Sequence, residues 1–64
     1  MLLKFSEQIT DCYRHAEECA QRATRERDRA FRDEWLTMER RWILVARGFE
    51  LSESIERFQP KSLN

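Results

Sequence analysis

The chain has 64 residues, of which 12 are basic and 12 acidic, with one His, two Cys, one Gly and one Pro. That balance supplies no overall field for nucleic acid or a membrane surface, and a chain this short buries only about 60% of its unfolded surface, so it holds one small domain that needs some further source of stability. The longest apolar run, Trp42 to Ala46, is far short of the ~20 residues that cross a bilayer, and MLLKFSEQ has no apolar core ahead of its first charges, so neither a span nor a secretory signal is expected and the setting is read as cytoplasmic.

Scarce Gly and Pro, with abundant Ala, Glu, Arg and Leu, make a helical composition. Leu2, Phe5, Ile9, Cys12, Tyr13, Ala16, Cys19, Ala20 and Ala23 wind into one apolar stripe, which predicts an amphipathic helix over about 5–24, with Ser6 as a candidate cap.

Within it, CYRHAEEC places Cys12, His15 and Cys19 three and four residues apart, on one helical face. Thiolate and imidazole are zinc ligands, and zinc takes four donors, or three and a water. A donor from a second copy of the chain would complete such a set, but the chain has no other Cys or His, and Cys also packs as a small hydrophobe. Two helical turns, roughly 10 Å, separate the thiols, beyond disulfide reach. The preferred reading is packing, with no metal and no cofactor. A thiol-based metal or redox sensor through Cys12, His15 and Cys19 is kept as an alternative.

The turn is predicted in ATRERDR, residues 23–29, where Asp28 is the best N-cap. Arg22, Arg25, Arg27, Arg29 and Arg32 cluster here, and Arg suits phosphate contacts. Acidic Glu26, Asp28, Asp33 and Glu34 are interleaved, no aromatic is placed to stack on bases, and Arg outnumbers Lys ten to two throughout the chain. A solvated, charge-paired surface is the preferred reading, with a nucleic-acid-binding regulator as the alternative.

Phe31, Trp35, Met38, Trp42, Val45 and Phe49 alternate steps of four and three, a heptad-like seam that predicts a second helix over about 29–49. After Phe49 the apolar stripe shifts round to Leu51, Ile55 and Phe58. Either the helix breaks near Gly48, with Ser52 capping a short third helix, or it runs on to 58. A reversal near residue 26 or 27 sets Ala20 beside Trp35, Tyr13 beside Trp42 and Phe5 beside Phe49, small facing large over several layers.

No Gly-rich phosphate loop or nucleophile motif is present, and the adjacent Glu17 and Glu18 lie ~100° apart on a helix, so no enzyme is expected. YRHAEEC (13–19) followed by ERRWILVA (39–46) resembles a pattern in short uncharacterised alphaproteobacterial helical proteins: Tyr-Arg, Ala-Glu-Glu-Cys, then Trp before a Leu-Ala pair. The chain departs from that pattern in reading Arg27-Asp28-Arg29 where Asp-Pro opens the second helix. The resemblance implies a small soluble bacterial helical protein and assigns no functional residue.

The expected fold is all-α: a single domain over 1–64, an antiparallel two-helix hairpin that dimerises into a four-helix bundle. Trp35, Leu36, Trp42 and Ile43 are the expected dimer interface, since they offer more apolar surface than the first helix can cover. The expected role is a protein–protein interaction or adaptor module whose partner is itself or another protein, with neither nucleic acid nor membrane.

Overall fold

The computed structural model describes residues 5–58, which form two α-helices and, among the described residues, no strand. Helix α1 spans Ser6–Arg25 and α2 spans Arg29–Phe58. They fold back on each other antiparallel: Phe5, before α1, meets Phe49, with ring centroids 5.0 Å apart, and Arg22, near the end of α1, lies over the Trp35 ring at 5.0 Å. Leu2 lies outside the described residues, as does the side chain of Phe58.

Side chains shape the turn in place of Gly or Pro. Glu26 turns to an extended conformation (φ −76°, ψ 127°), which ends α1. Its N–H still donates to the carbonyls of Arg22 (3.0 Å) and Ala23 (3.3 Å), and the Thr24 hydroxyl donates to the Gln21 carbonyl at 2.7 Å. Asp28 is the cap of α2: its Oδ1 accepts the N–H groups of Ala30 (2.8 Å) and Phe31 (3.2 Å), satisfying donors that have no partner inside the helix. Arg32 reaches back one turn, and its Nη2 and Nε donate to the Glu26 carbonyl at 3.3 and 3.4 Å. The last free carbonyl region of α1 is thereby tied to the first turn of α2.

The other end of the hairpin is closed differently from the sequence-based expectation. Ser6 is the first helical residue of α1, Phe5 occupies the cap position, and no side chain of its own segment caps it. Instead Glu53 Oε2, on α2, accepts the Phe5 N–H at 2.6 Å, and Glu53 is buried, with 7% of its surface exposed. Helix α2 reaches this position because it passes Gly48 without a break. Gly48 has an ordinary right-handed conformation and open space where a Cβ would stand, so neither strain nor packing demands glycine there. The break at Gly48 and the Ser52-capped third helix do not occur among the described residues.

The buried apolar residues are all small: Cys12, Ala16, Cys19 and Ala23 on α1, and Ala46 on α2, which is fully enclosed (0% exposed). The α1 set repeats at steps of four, three and four, and therefore forms one line along the helix. Small side chains on this line let the two helix axes approach, and a Trp between them would hold them apart. The rings are displaced to the side as a result. Trp42 stacks on His15 and Trp35 lies under Arg22, two positions later in α1 than Tyr13 and Ala20, the neighbours expected from the sequence. Trp42 is accordingly half-buried, and among the described residues no large side chain is fully buried.

The hairpin measures 56 × 19 × 9 Å, a layer one helix thick whose two broad faces both meet solvent. No helix among the described residues is long and apolar enough to cross a membrane.

Candidate interaction surface

Ala46 marks the line along which α2 touches α1. At ~100° per residue, Trp42 falls about 40° to one side of that line and Ile43 about 60° to the other. The same rotation separates Trp35 from Leu36. The four residues expected to form one interface therefore stand on opposite flanks of the contact: Trp35 and Trp42 on one, Leu36 and Ile43 on the other.

The Trp flank carries a continuous apolar row. Beside the two half-buried Trp rings run Phe31 (55% exposed), Met38 (42%) and Val45 (46%), a heptad-spaced row pointing away from α1. Shallow depressions open along it. One is lined by Phe31, Glu34, Trp35 and Met38, together with Glu26 from the turn, and the next by Met38, Arg41, Trp42 and Val45. On α1, His15 stacks on Trp42 with ring centroids 4.4 Å apart and planes 25° from parallel, and the Arg22 guanidinium covers Trp35. These polar groups edge the Trp rings from one side and leave the Met38 side open. On the opposite flank the Tyr13 hydroxyl donates to the Glu50 carboxylate (3.2 and 3.3 Å). Desolvation first, and then the Glu50 charge and hydrogen bond, hold the Tyr13 hydroxyl above its ordinary pKa.

Cys12 and Cys19 are free thiols buried on the contact line, whereas His15 leans over the flank, where its Nδ1 lies 3.5 Å from Glu18 Oε1. Among the described residues no three His, Cys, Asp or Glu side chains come together in a group that could hold a metal ion. Burial pushes the Cys19 thiol above its usual range, helped by the nearby Glu18 and Glu39 and opposed by Arg22. A thiol kept protonated and covered is a poor nucleophile and a poor ligand.

The arginines of the turn divide in the same way. Arg22 lies over Trp35 and Arg32 donates to the Glu26 carbonyl, whereas Arg25, Arg27 and Arg29 have no such contact among the described residues; all five are exposed. The ring contacts of His15 and Arg22 were not foreseen from the sequence. The signal available was their position, one step off the apolar stripe of α1, where an edge residue meets whatever the partner helix displaces sideways.

No protein-family model matches this chain, and no curated protein or solved structure matches it either.

Proposed function

We propose that the chain is a small homodimeric interaction module of the cytoplasm, two hairpins joined through the α2 helices into a four-helix bundle, acting by binding and not by catalysis. The observation that carries this reading is that the hairpin leaves Phe31, Met38, Leu44, Val45, Leu51 and Ile55 exposed and, among the described residues, fully buries no large side chain. A layer one helix thick has no interior of its own, and in globular proteins such a layer is stable when a second one covers it. The Trp flank of α2 offers a continuous heptad-spaced apolar row for that cover, with Trp35 and Trp42 at its edge. Engagement of Arg22 and Arg32 within the chain weighs against the nucleic-acid reading, and burial of both thiols weighs against the sensor reading. Sedimentation at micromolar concentration tests the proposal. A dimer that gives way to unfolded chain on dilution is expected, and a stably folded monomer over that range overturns it.

A further inference from the structure

Within that dimer, we infer that α2 pairs with α2 of a second copy, antiparallel about a two-fold axis beside Met38, with Glu34 of each copy opposite Arg41 of the other. This rests on the homodimer reading and adds the surface, direction and register of the contact. The inference starts from the order of side chains on the exposed flank. Moving from Met38 toward the turn, Trp35 and Glu34 come three and four residues away, and Phe31 comes seven away. Moving the other way, Arg41 and Trp42 occupy the same two steps and Val45 the seventh. At ~100° per residue both Trp rings lie on the side of this row nearer α1, and Glu34 and Arg41 lie on the side away from it. A two-fold axis beside Met38 therefore sets Phe31 opposite Val45 at equal steps, brings Trp35 within one residue of Trp42 on the ring side, and brings Glu34 within one residue of Arg41 on the charged side.

Charge fixes the direction. In an antiparallel contact the Glu34–Arg41 pair is attractive, and the symmetry makes it occur twice. A parallel two-fold contact would set the charged flank of each copy beside the Trp flank of the other, so neither Glu34 nor Arg41 would meet an opposite charge. Glu34 and Arg41 are both exposed, and neither makes an ion pair within the chain among the described residues. The two depressions on either side of Met38 are consistent with the same axis, since each holds one Trp, Met38 and one of the two charges at its rim. Each would receive the apolar row of the other copy.

Charge exchange tests the pairing. Glu34→Arg and Arg41→Glu are made separately, and both sites are on the solvent side of a helix, so circular dichroism should show unchanged helix content. Each variant alone should dimerise at least about tenfold more weakly than the parent, because the sign change acts at both copies of the pair. Mixed in equal amounts they should form a one-to-one heterodimer, since one chain then carries two bases and the other two acids at the facing positions. The doubly exchanged chain, Glu34→Arg/Arg41→Glu, should dimerise like the parent. A dimeric parent whose single variants associate as tightly as it does, or whose mixed variants fail to recover association, overturns the register and leaves the homodimer standing. A monomeric parent overturns both.

Discussion

The Glu53 carboxylate accepts the Phe5 N–H at 2.6 Å, so a residue near the end of α2 caps the beginning of α1. The contact joins positions 48 apart in the chain and puts a negative group at the positive end of the α1 dipole. Glu53→Ala removes both the acceptor and the charge and should cost about 1 kcal/mol, whereas Glu53→Gln keeps an acceptor and should cost less. Urea denaturation midpoints check the order. A Glu53→Ala midpoint equal to that of the parent would show that the cap contributes nothing.

Trp42 is half-buried and stacked on His15, so truncating it removes less than a fully enclosed ring would. Trp42→Ala should cost about 2 kcal/mol, below the range of ~3–5 kcal/mol for enclosed aromatic rings. His15→Ala should cost about 0.5–1 kcal/mol, the contribution of one ring pair. Thermal melts of the two variants should therefore differ clearly, and equal losses would mean that the stacking carries the whole effect of the Trp.

Stability should fall at alkaline pH, and the sign follows from Cys19. A thiol whose pKa is raised on folding holds its proton more tightly in the folded chain than in the unfolded one. Its contribution is complete below the usual thiol value of ~8.5 and is lost as pH rises through the folded-state value. The raised Tyr13 hydroxyl acts in the same direction at higher pH. Melting temperature measured across this range should decline, and the decline should be shallower in Cys19→Ala, where the thiol is absent. An identical slope in the two chains would remove Cys19 as the cause.

Gly48 has room for a side chain and an ordinary helical backbone. Gly48→Ala should therefore stabilise the chain by about 1 kcal/mol, the helix-propensity difference between the two residues, and raise the melting temperature by about 4–8 °C. A lowered melting temperature would mean that the glycine face is covered in solution.

The two helices and the Asp28 cap were legible because each has a local cause: apolar residues at helical spacing, and a short acidic side chain ahead of free N–H groups. The pairing of Phe5 with Phe49 was also read correctly, whereas the contacts of Trp42 with His15 and of Trp35 with Arg22 were not foreseen. Periodicity reports which side of a helix is apolar, but it does not report how close the partner helix comes. The small line of Cys12, Ala16, Cys19 and Ala23 sets that distance, and the displaced rings then take neighbours such as His15 and Arg22 that no apolar pattern singles out. The Glu53 cap was out of reach for a related reason. Its acceptor and donor meet only if α2 continues past Gly48, and an isolated Gly in a sequence argues equally for a break.

The way the turn is tied has a consequence for the order in which the hairpin forms. Arg32 and Glu26 join positions six apart, Tyr13 and Glu50 positions 37 apart, and Phe5 and Glu53 positions 48 apart. Closing the short loop first leaves each later contact only a small further loss of chain entropy, so pairing spreads outward from the turn like a zip. Asp28 then belongs to the folding nucleus and Glu53 to the last stretch that closes. Loss of the Asp28 carboxylate should slow folding with little effect on the unfolding rate, and loss of the Glu53 carboxylate should speed unfolding with little effect on folding.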